Sequence, residues 1–235
     1  RLPPGSTNYS GQIFLLGTDG AGRDMLSSIF YGLRVSLGVG ALSGVIALTI
    51  GSFFGVSAAF FRGKYETIVM RIVDIQLSFP SILVALIIIA AFGKGIEKTM
   101  IALILVQWAY YARTARASAL VEMNKEYIDA ARCLAFGNTR IMFKHILPNC
   151  LAPLIVVGTL QTAHAISLEA TLSFLGLGLP VTEPSLGLLI GNGFEYMYSG
   201  DFWISIFPGV ALLITVGSIN LVGDHLRDMF NPRLH

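Results

Sequence analysis

Charged residues are scarce in this chain. Only 13% of its 235 residues are Asp, Glu, Lys or Arg, whereas 54% are hydrophobic, and the mean hydropathy is +0.70. A soluble globular domain carries about 25% charged residues, so the composition places this chain among membrane proteins. The formal net charge of +2 gives no sign of a strongly acidic partner such as a nucleic acid.

The common motifs for catalysis and nucleotide binding are missing as well. Gly17, Gly20 and Gly22 fit neither G-x-G-x-x-G nor a Walker A pattern, and Gly-Lys-Ser/Thr does not occur. There is no H-E-x-x-H and no G-x-S-x-G, and the histidines lie far apart, at positions 145, 164, 225 and 235. We therefore expect no catalytic residue, no metal site and no cofactor in this chain, which argues against an intramembrane enzyme.

The hydrophobic residues are gathered in runs long enough to cross a bilayer. A hydrocarbon core of about 30 Å needs about 20 helical residues at ~1.5 Å each. We predict an all-α polytopic membrane protein, with residues 1–34 as an extracytoplasmic loop and residues 35–235 as the transmembrane domain. The five predicted spans lie at 35–61, 72–93, 99–121, 149–170 and 202–223. Residues 176–201 read as a loop with a partly re-entrant or interfacial segment.

Each of three features of these spans has two possible interpretations. The pairs Gly40/Gly44 and Gly51/Gly55 either let another helix approach closely or belong to an ordinary glycine-rich membrane helix. Pro80 is either a bend point or a proline tolerated by neighbouring helices.

The third feature is a set of polar residues in the fourth span. Gln161, His164 and Glu169 are costly at membrane depth unless they face protein or water. They either line a pathway or bond to a neighbouring helix, and they are the candidate pathway residues.

Lys and Arg are distributed unevenly between the loops. Eleven of the sixteen lie in the segments 62–71 and 113–144 and in the C-terminal tail, and none lies between residues 169 and 201. By the positive-inside rule the richer segments are cytoplasmic. Cys133 and Cys150 then lie near the cytoplasm, so we expect free thiols. An odd number of spans would leave the N-terminus outside, so we expect a further helix upstream of Arg1.

Residues 127–148, here called the charged segment, interrupt the apolar runs within the connecting stretch 122–148. Asp129, Arg132, Arg140 and Lys144 alternate with apolar residues, a pattern typical of short amphipathic helices. We predict two short helices joined at Gly137, suited to a partner's groove. The alternative is a basic loop that only orients the protein.

The charged segment resembles the cytoplasmic motif E-A-A-x3-G-x9-I-x-L-P of membrane subunits in binding-protein-dependent ABC importers. Asp129, Ala130 and Ala131 stand for E-A-A, and Leu147 and Pro148 close the pattern. The sequence departs from the motif in three places, which are Asp129 for Glu, Ala135 for Gly (with Gly137 two residues later) and His145 for Ile.

From residue 16 onward the chain resembles the dipeptide/oligopeptide-type permeases, a subfamily that also includes nickel and glutathione importers. The matching motifs, in order, are LGTDGAGRD (16–24), YGLRVSL (31–37), LSFLGLG (172–178), PSLG (184–187), FPG (207–209), NLVGDHLRD (220–228) and NPR (231–233). Leu186 stands where many members have Trp, and Asn231 where Asp is usual.

The resemblance implies the type I ABC importer permease fold, with six helices in the family and five in this chain. It implies the translocation subunit of an ATP-driven importer in the bacterial inner membrane. Its partners would be a second, homologous permease in a heterodimer, two ATPase subunits that bind ATP and Mg²⁺, and an extracytoplasmic substrate-binding protein that meets residues 176–201. The cargo would be di- or oligopeptides, with a nickel chelate, another metal chelate or glutathione as the alternative. A secondary transporter or channel would instead show paired mid-membrane charges or an inverted repeat, and neither is visible.

Within that resemblance the charged segment would dock on the ATPases and transmit their motion. Ala130 and Ala131 would lie against the ATPase surface, Asp129 and Arg132 would make polar contacts, and Pro148 would set the angle of the fourth span. The full set of expected coupling residues is Asp129, Ala130, Ala131, Arg132, Ala135, Gly137, His145, Leu147 and Pro148.

Overall fold

The computed structural model describes residues 1–7, 11, 13–180 and 183–230, and within them the chain is mostly helical. The NPR motif (231–233) and His235 lie outside the described residues. Two short strands, β1 (Ser6–Thr7) and β2 (Ile13–Phe14), pair antiparallel. The α-helices are α1 (Met25–Phe61), α2 (Gly63–Leu77), α3 (Ser81–Phe92), α4 (Ile96–Glu122), α5 (Glu126–Cys133), α6 (Asn138–Arg140), α7 (Leu147–Asn149), α8 (Leu151–Phe174), α9 (Leu186–Phe194) and α10 (Trp203–Met229). A π-helix (Ile141–Ile146) joins α6 to α7, and a 3₁₀ turn (Met197–Ser199) precedes α10.

Helix α1 begins directly after Asp24, inside residues 1–34, which were predicted as a loop. The Asp24 carboxylate accepts hydrogen bonds from the Ser27 N–H at 2.9 Å and the Ser27 hydroxyl at 2.6 Å. These bonds cap the first turn, where backbone N–H groups have no partner within the helix. The 37-residue helix starts ten residues before the uncharged run at Val35, so it is longer than the predicted span.

Three helices among the described residues are long and apolar enough to cross a membrane, namely α1, α8 and α10. A fourth candidate is the pair α2 and α3, which are bent by 93° at the break between them. Pro80 explains the break, because it lacks an N–H and disfavours a helical conformation of Phe79. The predicted second span (72–93) is therefore divided between two helices. Helix α4, over which the third span was predicted, is not among the candidates.

The chain forms two compact units. The first unit comprises Arg1–Leu42, Ala85–Leu103 and Ala163–Ser218. The second comprises Ser43–Val84, Ile104–Thr162 and the described part of Ile219–His235. In the first unit Met25 and Ile29 pack with Leu186, Trp203 and Ile204, so the predicted loop region 176–201 contains a buried helix, α9.

The core of the second unit is built where α1 meets α4. A Cβ added at Gly51 would lie 2.5 Å from the Trp108 carbonyl oxygen, and one at Gly55 would overlap the Ala112 carbonyl oxygen. The two glycines thus let backbones touch, as the close-approach interpretation predicts. The same core continues into the charged segment through Ile128, Ala131, Ile141 and Ile146.

Candidate functional site

Helix α5 opens the charged segment and ends in a turn that requires a left-handed residue. Ala135 has φ +52°. Its N–H donates to the Arg132 carbonyl at 2.9 Å, and the Phe136 N–H donates to the Ala131 carbonyl at 3.2 Å. These two bonds form a Schellman motif, whose left-handed position usually holds Gly. The importer motif has Gly at this position. Gly137, predicted as the joint, instead has φ −65° and precedes α6 in an extended conformation.

The left-handed alanine leads to a stability prediction. L-residues pay about 1–2 kcal/mol in this region, partly offset by the greater chain entropy that Gly loses on folding. We expect Ala135→Gly to stabilise the protein by about 1 kcal/mol, raising the unfolding midpoint by about 2–4 °C. Thermal unfolding of the purified protein in mild detergent measures this shift. The matched control is Gly137→Ala, which should change little because open space surrounds Gly137 at an ordinary φ. An unchanged or lowered midpoint for Ala135→Gly would contradict the prediction.

Tyr127 ties α5 to the helices on both sides of the charged segment. Its hydroxyl donates to Glu122 Oε2 at 2.6 Å and accepts from Asn149 Nδ2 at 3.1 Å. Asn149 Nδ2 also donates to the His145 carbonyl at 2.7 Å, and Lys125 pairs with the other Glu122 oxygen at 2.6 Å. Burial, followed by the hydrogen bond to Glu122, raises the pKa of Tyr127, so the hydroxyl stays protonated as a donor. This polar bracket links the end of α4 to the residues just before α8.

The second half of the charged segment is ordered by aromatic contacts. The Arg140 guanidinium lies 3.9 Å from the Phe136 ring centroid, a cation–π contact. The His145 ring also stacks on the Phe136 ring, with 5.7 Å between the two ring centroids. Phe143 stacks on Phe53 of α1 at 5.9 Å, within the same unit. The segment also shares a core with Ala115 of α4 and Leu154 of α8, so it is packed against the helices that enter and leave it.

The structure separates the two predicted coupling alanines. Ala130 is exposed, whereas Ala131 is only 4% exposed and belongs to the core of the second unit. Ala131 therefore packs inside this chain, and its contact with an ATPase stays a prediction. Asp129 and Arg132 are exposed and lie 3.3 Å apart as an ion pair on α5. Both remain available on the same surface as Ala130.

The remaining predicted coupling residues occupy less exposed or terminal positions. Leu147 is half-buried against the core, and Pro148 is exposed inside the short helix α7. His145 is half-buried, and its Nε2 is buried without a hydrogen-bond partner among the described residues.

The three predicted pathway residues differ in their surroundings. His164 is exposed on α8 and Gln161 is half-buried, so both fit the surface of a pathway. Glu169 is completely buried in this structure, and its role as a lining residue stays a prediction. Its Oε2 accepts from the Ser36 hydroxyl at 2.9 Å and its Oε1 from the Ser173 hydroxyl at 2.7 Å.

The two serines extend this buried polar cluster to the backbone. Ser36 Oγ accepts from the Leu186 N–H, the first residue of α9, and Ser173 Oγ accepts from the Leu179 N–H, both at 3.3 Å. Every buried oxygen of the cluster therefore has a partner, as buried polar groups require. The cluster joins α1, α8 and α9 within the first unit.

Several of these residues carried no signal in the sequence. Ser36 and Ser173 look like ordinary membrane serines, and only their distance from Glu169 in the folded chain identifies their role. Tyr127 lies inside the charged segment, but its tie to Glu122 and Asn149 depends on how the helices fold back.

The sequence was compared with protein families and with individual proteins. Residues 47–235 match the family described as the binding-protein-dependent transport system inner membrane component. The Di/tripeptide transport system permease protein DppC of Pseudomonas aeruginosa is 42% identical over 234 residues, which are 99% of this chain and 77% of that protein. The Dipeptide transport system permease protein DppC of Escherichia coli K12 is 43% identical over 232 residues, with 99% and 77% coverage.

A solved structure shares the fold. A chain of the inward-facing MetNI methionine ABC transporter superimposes with a TM-score of 0.71 at 23% identity, covering 88% of this chain and 98% of that one. The likeness shows the type I ABC importer permease fold. Permease subunits with this fold are the transport components of their importers, and separate ATPase subunits hydrolyse the ATP. The chain belongs to the family of binding-protein-dependent transport system inner membrane components.

Proposed function

We propose that this chain is the translocation subunit of an importer for di- and oligopeptides. The relatives that cover almost the whole chain at more than 40% identity are named for dipeptide and di/tripeptide transport. Neither of those relatives is named for nickel or glutathione, so the alternative cargo is not favoured. Peptide backbones are bound mainly by hydrogen bonds, which the exposed or half-buried Gln161 and His164 can supply.

The charged segment transmits movement from the ATPases to the membrane helices. The observation that carries this proposal is the bracket in which Tyr127 bonds to Glu122 and Asn149. A load applied to the exposed face of α5 would pass through this bracket to the end of α4 and the start of α8. A packed and hydrogen-bonded segment moves as one body, because close-packed interiors switch between arrangements and deform little.

The assembly would contain four further chains besides this one. A second, homologous permease would complete a heterodimer, and two ATPases would bind ATP and Mg²⁺ on the cytoplasmic side, where the charged segment and the C-terminus would lie. An extracytoplasmic binding protein would deliver the cargo to residues 176–201. The excess of Lys and Arg in the segments 62–71 and 113–144 supports this orientation.

The test is Ala130→Glu in the complete transporter. Ala130 is exposed beside Asp129 and Arg132, so the substitution leaves the fold intact but adds bulk and charge at the proposed ATPase contact. We expect at least a tenfold loss of ATPase co-purification or of ATP-dependent dipeptide uptake, since each factor of ten needs only about 1.4 kcal/mol at an interface.

The matched control is Thr67→Glu, at an exposed position of α2 in the segment 62–71, on the same predicted side of the membrane but outside the charged segment. It should leave association and uptake close to those of the unmodified protein. Uptake of labelled dipeptide, oligopeptide and nickel by the unmodified transporter distinguishes the cargo. If Ala130→Glu retained both ATPase binding and uptake, the charged segment would not couple; if nickel alone were transported, the peptide assignment would be wrong.

A further inference from the structure

Helix α2 presents an apolar face with a positively charged edge. Ile68, Ile72 and Ile75 are each more than half exposed. Lys64 and Arg71 are exposed on the same side, two turns apart. Residues separated by three, four or seven positions share one helix face, so these five side chains form a continuous strip. We call them the α2 strip.

The charge of the α2 strip is not balanced within the chain. The two carboxylates of α2 are already taken, because Glu66 pairs with Arg116 and Asp74 pairs with Arg113, each at 2.5 Å. Lys64 and Arg71 have no ion pair among the described residues. The strip therefore offers two cations and no anion.

An apolar cavity of about 480 Å³ lies beside the strip, within the same unit. Ile72 belongs to both the strip and the cavity wall, and Ile50, Phe54 and Leu105 complete much of the wall. The polar group at its edge, the Gln76 amide, is engaged: Trp108 Nε1 donates to its Oε1 at 2.7 Å, and its Nε2 donates to the Leu105 carbonyl. The cavity thus suits an apolar occupant.

We propose that the α2 strip and this cavity together bind one anionic phospholipid. An acyl chain occupies the cavity, and the phosphate of the headgroup contacts Lys64 and Arg71. A partner helix would fill the cavity equally well, but it would need its own carboxylates to satisfy the two cations. A lipid of an inner membrane carries the negative charge and the apolar chain in one molecule. The site is separate from the charged segment, and its existence does not depend on the cargo.

The experiment is native mass spectrometry of the complete transporter, released from nanodiscs of phosphatidylethanolamine and phosphatidylglycerol. We expect a retained phosphatidylglycerol that Lys64→Gln/Arg71→Gln loses. Each Lys or Arg near an anionic surface contributes about a fivefold gain in binding, so the double variant should retain roughly 25-fold less. Leu105→Trp, which fills the cavity and leaves both cations, should weaken retention as well.

The matched control is Lys94→Gln/Lys98→Gln, which removes the same charge from the first unit and should leave retention unchanged. Equal retention in Lys64→Gln/Arg71→Gln would overturn the proposal. So would equal retention of phosphatidylethanolamine and phosphatidylglycerol, because the site would then not select an anionic lipid. A photo-crosslinker at Ile72 that captured the partner permease instead of lipid would show that a helix covers the cavity, which also overturns it.

Discussion

Glu169→Ala is expected to prevent stable accumulation of the protein in the membrane. The substitution leaves the hydroxyls of Ser36 and Ser173 buried without acceptors, and each unsatisfied buried group costs about 1–3 kcal/mol. Loss of the side chain from a fully buried site also leaves a cavity. The combined cost of about 3 kcal/mol or more is a large part of the stability of a typical domain. Membrane-fraction immunoblots and thermal unfolding in detergent measure the two consequences.

Two further variants separate the hydrogen bonds from general loss of a carboxylate. Glu169→Gln keeps the size and one acceptor oxygen, so it should cost clearly less than Glu169→Ala. Glu97→Ala removes an exposed carboxylate of the same unit, whose ion pair with Lys98 has a distance of 3.6 Å, and should be nearly neutral. Normal accumulation and an unchanged unfolding midpoint for Glu169→Ala would show that the buried polar cluster does not hold α1, α8 and α9 together.

Local chemistry in the sequence indicated some helix boundaries, although the division of the predicted span 72–93 into two helices and the buried helix α9 were not predicted. Asp24 marks the start of α1 because its carboxylate caps the first turn, and Pro80 marks the break between α2 and α3. These features depend on neighbours within a few residues. The number of membrane spans is harder to predict from hydropathy. Hydropathy does not show the 93° bend between α2 and α3, and the charged residues of α4 keep that helix out of the candidate spans.

The charged segment shows where a motif and a periodicity disagree. The motif groups Ala130 with Ala131, but Ile128 and Ala131 are three residues apart and share one helix face, and both are buried. On this helix Ala131 thus shares the buried face of Ile128, whereas Ala130 is exposed. The joint was predicted at Gly137, whereas the left-handed turn lies at Ala135, which occupies the Gly position of the importer motif with φ +52°.

Glu169 shows what a single sequence does not contain. Its burial cost was evident from its place in an apolar run, but its partner Ser36 is 133 residues away. Whether a costly carboxylate lines a pathway or bonds to neighbouring helices depends on such distant partners. The structure supplies one such partner, Ser36 of α1, and a pathway role for Glu169 stays a prediction.

Gly55→Leu is expected to abolish assembly of the second unit, and Gly55→Ala to weaken it. Even one methyl group at Gly55 would overlap the Ala112 carbonyl oxygen and lie 2.7 Å from the Ala115 Cβ. Backbone atoms yield little, so α1 and α4 must separate. Overpacking of a tight interior costs about 1–3 kcal/mol for small insertions and more for larger ones. The resulting loss is measured as the fraction of chain that remains monodisperse after extraction in mild detergent.

Gly158→Ala is the matched control, since it makes the same change in the middle of α8 of the same unit, where nothing lies within 4 Å of the added Cβ. It should be neutral or stabilising, because Ala is favoured over Gly inside a helix by up to about 1 kcal/mol. If Gly55→Ala and Gly158→Ala behaved alike, α1 and α4 would not be in backbone contact at Gly55.

Between helices in lipid, the hydrophobic effect contributes little and close packing takes its place. The contact at Gly51 and Gly55 therefore stabilises α1 against α4, through which the charged segment would transmit its movement. Loss of this packing should reduce transport even when every residue of the charged segment is unchanged.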